Sequence, residues 1–291
     1  MAPLQVRPIT TVSFQRPGDD KVEATGPGMT SPLPKASEVR SWRYQLQNIK
    51  PSEIARMSDD LIVVDYAGDN GPFSPAQVER MRRKPDGSRR LVIAYLSIGE
   101  AENYRFYWNR AWLQQPPEWL GKENPSWHGN YAVRFWDPSW QDIVFDYAGR
   151  IVAAGFDGVY LDKIDSFEHA GRPEAMIDFV AAISARTKAK RPDFVVVSQN
   201  GDALISNAKF RAAIDGFARE DLLYGEDRDG ARNKADSIRQ SIRRLKLLAA
   251  ERKLVLVVEY PHHPDQARSA AREIAEQGFV GLTAPRKLDG L

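Results

Sequence analysis

GFDGVYLDKID, residues 155–165, is the stretch on which the fold turns. Gly155 and Gly158 flank a short apolar run without adding bulk, and the run ends on Asp162. In an extended strand, alternation places Val159 and Leu161 on one face and Tyr160 and Asp162 on the other. If Val159 and Leu161 pack on helices, Asp162 points into the mouth of a barrel. Similar runs recur on both sides: WRYQLQ (42–47), LIVVDYA (61–67), LVIAYLSIG (91–99), YAVRFWD (131–137), VVVSQNG (195–201), DGFARED (215–221), LVLVVEY (254–260) and FVGLTAP (279–285). Their length, β-branched content and Gly or Pro borders favour strands over buried helix segments.

The segments between them carry helical periodicity. Trp140, Ile143, Val144, Tyr147 and Ile151 follow Pro138 at that spacing, and Gly155 lies just beyond. Met176, Phe179, Val180 and Ile183 repeat it, as do Ile238, Ile242, Leu245 and Ala249, whose outer face is filled by Arg and Lys. Strands alternating with helices imply a parallel sheet. About eight such units in roughly 250 residues favour an α/β fold of the closed (β/α)₈ TIM-barrel type over an open sheet. There are nine candidate runs for eight places. WRYQLQ is taken as the first strand and FVGLTAP as an extra closing strand.

Residues 1–38 are rich in Pro, Gly, Ser and Thr and lack sustained periodicity, so a flexible tail is expected before a single domain at 39–291. Basic and acidic residues nearly balance, 41 against 39, for a formal net charge of +2, which gives little support to a nucleic-acid partner. Cysteine is absent, which removes disulfides, thiolate zinc sites and thiol catalysis. It fits the cytosol and the periplasm equally. No stretch approaches the roughly 18 apolar residues of a membrane helix. MAPLQVRPITT lacks the apolar core of a signal peptide. The expected place of work is nonetheless periplasmic or extracellular, and the expected state a monomer.

Polar and acidic residues gather at the C-terminal ends of the strand candidates: Asp65, Glu100, Glu102, Asp137, Asp162, Asp165, Gln199, Asn200, Glu220, Asp221 and Glu259. In a barrel those ends form one mouth, where such enzymes work. Any one of these acids could be a helix N-cap. So many together at one mouth would repel one another and lose solvation, which folding alone has little reason to accept. Glu220 shares its face with Ala218, a small residue that leaves room for substrate. Six of the seven tryptophans lie between 108 and 140, and Trp108, Trp112, Trp119 and Trp127 suggest a sugar-stacking wall, with Trp140 in the core. His128, His169, His262 and His263 show no HxH or HExxH spacing, and GxSxG, Walker and GxGxxG patterns are absent. No cofactor or metal is therefore expected. Carboxylate chemistry remains, as in most glycosidases.

These residues resemble glycoside hydrolase family 114, the endo-α-1,4-polygalactosaminidases and their bacterial and archaeal relatives. The matching pieces are YQLQ (44–47), LIVVDYA (61–67), AYLSIGEAENYRFYW (94–108), FWDPSWQ (135–141), GFDGVYLDKIDSF (155–167), SQNG (198–201), GFAREDLLY (216–224) and VVEYP (257–261). The resemblance implies a (β/α)₈ barrel that hydrolyses α-1,4-linked galactosamine or N-acetylgalactosamine polymers. It places the catalytic aspartate at Asp162 and the catalytic glutamate at Glu220. LDKID stands where the fungal-type pattern looks more like PDNVD. The expected roles are nucleophile for Asp162 and general acid/base for Glu220, with Asp165 or Glu259 raising the Glu220 pKa. Asp65, Tyr95, Glu100, Asp137, Asp165, Asn200, Glu259, Trp108 and Trp136 are expected to contact the polysaccharide. An acidic mouth would suit a cationic polymer. Two rivals stand beside this reading: a sugar-binding barrel without turnover, and a hydrolase that uses a divalent cation held by the carboxylates.

Overall fold

The computed structural model describes residues 32–290. Eight parallel strands form one sheet in chain order: β1 (Trp42–Gln45), β2 (Leu61–Val64), β3 (Leu91–Ser97), β4 (Gly158–Asp162), β5 (Val195–Gln199), β6 (Gly216–Glu220), β7 (Leu254–Glu259) and β8 (Val280–Thr283). The sheet curls into a nearly closed barrel, with helices packed outside it. At the seam the Trp42 indole N–H donates to the Val280 carbonyl at 3.1 Å. Beyond β8 the chain crosses back to β1, where the Leu288 carbonyl accepts from the Leu46 N–H at 2.8 Å.

Strand parity sorts the apolar residues into two cores. Leu61, Val63, Leu91, Ile93, Tyr95, Tyr160, Val195, Val197, Ala218, Leu254, Leu256 and Val258 fill the barrel interior with Trp42 and Tyr44. Their neighbours Ile62, Val64, Val92, Val159, Leu161, Val196, Phe217, Val255 and Val257 face the helix layer. Val159 and Leu161 therefore pack outward as their alternation predicts. Gly158 is required where β4 and β5 approach closely, because a Cβ there would lie 2.2 Å from the Val195 carbonyl oxygen.

The outer layer follows the helical periodicities. Helix α3 (Pro138–Ala153) buries Trp140, Val144, Tyr147 and Ile151, and α5 (Pro173–Lys190) buries Met176, Phe179, Val180 and Ile183. Helix α7 (Ala235–Ala250) buries Ile238 and Leu245. The remaining helices are α1 (Pro51–Ile54), α2 (Pro75–Arg82), α4 (Ser166–Ala170), α6 (Ala208–Ala213) and α8 (Pro264–Glu276).

The surplus of strand candidates resolves differently from the expectation. FVGLTAP supplies β8, the eighth barrel strand, paired in parallel to β7. YAVRFWD is not in the barrel. Its strand, Asn130–Val133, pairs antiparallel with Glu100–Glu102 and Leu120–Glu123 in a separate sheet inserted between β3 and α3. Of the residues expected in the tail, only 32–38 are among those described. Leu33 and Ala36 pack against the barrel-interior cluster and Val39 is fully buried, while residues 1–31 lie outside the described part.

Candidate active site

Asp162 and Glu220 end β4 and β6, two strands separated only by β5. Both share the face of interior residues, Tyr160 and Ala218 respectively. Beneath them lies an aromatic floor: Tyr44 and Tyr160 rings are 5.0 Å apart, and Trp42 stacks on Tyr44 at 6.1 Å. The floor strips water from the carboxylates above it.

Each carboxylate is held by its own donors. Asp162 accepts from the Tyr95 hydroxyl at 2.6 Å and from the Lys163 backbone N–H at 2.7 Å. Lys163 reaches that position with a φ of 61°, in the left-handed region. Glu220 accepts from Gln199 at 2.5 Å, from Asn200 at 3.1 Å and from the Tyr260 hydroxyl. The Tyr44 hydroxyl in turn donates to Gln199 at 3.3 Å, which orients its amide.

Burial, aided by the charge of Glu220, raises the Asp162 pKa to about 7 against the opposing bonds from Tyr95 and Lys163. Burial also raises Glu220, while the Tyr260 and Asn200 bonds hold it down and Asp221 adds to the rise. Two buried carboxylates that disfavour each other's charge titrate as a pair. Burial thus favours keeping a proton on this pair as pH rises toward neutrality.

The expected support from Asp165 and Glu259 is not found. Glu259 is 1% exposed, and its two oxygens accept from the backbone N–H groups of Leu223 and Tyr224, at 2.7 and 3.2 Å. It shares the outward face of Val255 and Val257, and it anchors the loop after β6 instead of contacting a ligand. Burial raises its pKa to about 7. Asp165 lies at the N-terminus of α4, past the end of β4. Asp137 caps α3, accepting from the Ser139 N–H at 2.8 Å, which is the helix-cap role any single acid could have had.

The remaining acids of the mouth are paired with cations. Arg105 lies 2.7 Å from both oxygens of Asp65 and 2.6 Å from Glu102. Glu100 meets Lys163 at 3.2 Å and accepts from Asn124 and Asn130 at 2.8 and 3.2 Å. Arg286 binds both oxygens of Asp221, reaches Asp229 at 2.9 Å, and lies 4.3 Å from the centre of the Tyr260 ring. The mouth is thus a charge-paired rim around two carboxylates, not an acidic funnel. A cleft of about 190 Å³ opens beside Tyr260, lined by Asp229, His262, Pro285 and Arg286 among others. Among the described residues, no group of three or more His, Cys, Asp or Glu is arranged to hold a metal ion.

The tryptophan wall is mostly packing. Trp108, Trp112, Trp119 and Trp140 make successive ring contacts at 5.3, 5.0 and 5.1 Å, and Trp140 donates to the Ile98 carbonyl at 2.8 Å. This spine fastens the inserted sheet to the barrel. Trp108 also packs on Tyr131, and Trp136 lies under the Arg172 guanidinium. Both rings are half-buried, with these contacts covering part of each.

Sequence reasoning missed Gln199 as a Glu220 ligand and Tyr260 altogether, although parity held the signal for both. Tyr260 follows Leu254, Leu256 and Val258 on the inward face, and Gln199 follows Val195 and Val197. Arg105, Lys163 and Arg286 carried no such signal, because each comes from a loop.

A barrel with two buried carboxylates at its mouth belongs to the class in which glycosidases are common. A sequence profile of glycoside hydrolase family GH114 matches residues 23–291, and the chain belongs to that family. It is 41% identical over 275 residues to an uncharacterized protein of Methanocaldococcus jannaschii, covering 86% of this chain and 77% of that one. It is 33% identical over 311 residues to an uncharacterized Deinococcus radiodurans protein, covering 100% and 98%. In fold it is similar to the glycoside hydrolase domain of PelA from Pseudomonas aeruginosa, with a TM-score of 0.68, 20% identity, and 87% and 97% of the two chains covered. It is also similar to Ega3 of Aspergillus fumigatus, solved with galactosamine, with a TM-score of 0.67, 16% identity, and 91% and 98% covered. No helix among the described residues is long and apolar enough to cross a membrane.

Proposed function

We propose that the protein hydrolyses an α-1,4-linked galactosamine or N-acetylgalactosamine polymer by a retaining mechanism, with Asp162 as nucleophile and Glu220 as general acid/base. The observation that carries this is the pair itself: two buried carboxylates on next-but-one strands, each fixed by separate donors and each with its pKa raised by burial. The galactosamine bound to the similar Ega3 supports the sugar class.

In the first step an Asp162 oxygen attacks the anomeric carbon while Glu220 gives its proton to the departing glycosidic oxygen. In the second, Glu220 takes a proton from water, which attacks the same carbon and releases Asp162. Glu220 can hold a proton because the Tyr260 hydroxyl can turn and accept from it, while the other Glu220 oxygen keeps its amide donors. The Lys163 N–H on Asp162 has no such freedom and always favours the carboxylate there.

The test is a screen of galactosamine, N-acetylgalactosamine and related amino-sugar polymers with product masses. Oligomers of galactosamine or its acetylated form are expected, unchanged after exhaustive chelation. Activity lost to EDTA and restored by a divalent cation would overturn the two-carboxylate mechanism. No cleavage of any polymer would favour a binding role.

A pH profile follows from the pair. Above its upper pKa, about 7 as set at Asp162, both carboxylates are charged and no acid remains, so kcat/KM should fall as pH rises through that value. Tyr95→Phe removes a bond that favours the charged form, so the alkaline limb should move to higher pH. A limb that stays in place would show that Tyr95 does not set the ionisation of the pair.

A further inference from the structure

The inserted sheet carries a feature that the packing spine leaves unused. The turn at 124–129, between its last two strands, is tied down at many points. Asn124 N–H donates to the Asn130 carbonyl at 2.7 Å, Trp127 N–H to the Asn124 carbonyl at 3.2 Å, and Asn103 N–H to the Gly129 carbonyl at 2.8 Å. Gly129 N–H donates to Glu123 at 2.7 Å. The Asn124 and Asn130 amides both reach Glu100, which pairs with Lys163, the residue after Asp162.

On this fastened turn the Trp127 side chain is 57% exposed, unlike the four rings of the spine. In the turn just past the strand Glu100–Glu102, Tyr104 follows Asn103 and is 62% exposed. Its hydroxyl donates to Glu102 at 2.6 Å, and the Arg105 guanidinium lies 5.1 Å from its ring centre. A lone exposed aromatic needs no explanation. Here the two are linked: Asn103, beside Tyr104, bonds to Gly129 in the turn that carries Trp127, and that turn reaches Lys163, next to Asp162, through Glu100.

We infer that Trp127 and Tyr104 form an outer sugar-stacking subsite, which holds a unit of the polymer beyond the cleaved bond on the Asp162 side. The inference rests on the polymer-hydrolase reading above. An aromatic face packs against the C–H face of a pyranose, while polar neighbours meet its hydroxyls. The site lies outside the reacting centre, so its binding energy serves longer chains more than short ones. The cleft beside Tyr260, whose hydroxyl binds Glu220, would give a chain crossing the mouth a second contact.

The experiment compares the full chain with Trp127→Ala and Trp127→Phe on two readouts. Native-gel retardation by partly deacetylated galactosamine polymer is measured in an Asp162→Asn background. The value of kcat/KM is measured on oligomers of increasing length. Trp127→Ala should weaken retardation, and its kcat/KM loss should grow with chain length to about tenfold on long polymer. Trp127→Phe, which keeps a ring, should recover much of both. Equal retardation with and without Trp127, a loss independent of length, or no retardation of the parent protein would overturn the subsite. Polymer cleavage that is intact and indifferent to Trp127 would overturn it while the hydrolase reading stands. Ring-dependent retardation without cleavage would overturn the hydrolase reading and leave the subsite.

Discussion

Asp162→Asn and Glu220→Gln should each lower kcat on the polymer by several orders of magnitude while leaving the barrel folded. Acid/base help alone is worth about 10²–10⁴, and loss of the covalent route adds to that at Asp162. The two losses should differ in form. Glu220→Gln removes the transferable proton, so its residual activity should lose the alkaline limb of the pH profile. Asp162→Asn keeps size and one hydrogen bond to Tyr95 but removes the attacking charge. Stability should not suffer. The Asp162 pKa is raised in the folded protein, so its ionisation opposes folding progressively as pH rises from the ordinary carboxylate range to about 7. The Asn variant escapes that penalty, and a thermal melt at pH 8 should place it at or above the parent. Asp165→Asn, past the end of β4, should cost far less activity, and His262→Ala less again. Polymer cleavage at parental rates by Asp162→Asn would sink the assignment.

What could be read from the sequence was what parity and period encode. The alternation in GVYLD put Asp162 inside the barrel, and the same rule in GFARE put Glu220 there with Ala218. Applied to LVLVVEY, the rule gives Tyr260 inward and Glu259 outward, yet Glu259 was expected at the substrate because acidity was weighed ahead of parity. YAVRFWD shows a different limit. Tyr131 and Val133 do alternate in a strand, but period says nothing of the partners, which here are Glu100–Glu102 and Leu120–Glu123. FVGLTAP reads weakly because its strand is only half covered, although it closes the barrel. The ionic partners were not legible, because Arg105 meets Asp65 across 40 residues and Arg286 meets Asp221 across 65. Nothing local in a sequence records such pairings. The expectation of a bare acidic mouth failed for that reason.

Arg105→Met should lower stability sharply. Arg105 is the sole cation between Asp65 and Glu102, and the three side chains are 8%, 13% and 3% exposed. Its charge is further fixed between the rings of Tyr104 and Tyr147, at 5.1 and 5.9 Å. Methionine fills much of the same volume, so lost packing is a minor part of the effect. Two carboxylates would instead be left facing each other in a site poor in water. Removing one partner of a buried ion pair costs about 3–5 kcal/mol. For a domain of this size that corresponds to a fall in Tm of about 10 °C. The pH dependence identifies the cause. Without Arg105 two carboxylate charges face each other with no cation between them, so the deficit is largest at neutral pH, where that repulsion is full. It should shrink in acid, where carboxylate repulsion in general weakens. Adding Glu102→Gln to Arg105→Met removes one of the stranded charges and should restore part of the loss, although Glu102→Gln alone destabilises. Melts of the four proteins at pH 7 and pH 5 provide the measurement. An Arg105→Met variant that melts with the parent at pH 7, or a deficit of equal size at both pH values, would show that the pairing at the rim contributes little to holding the inserted sheet on the barrel.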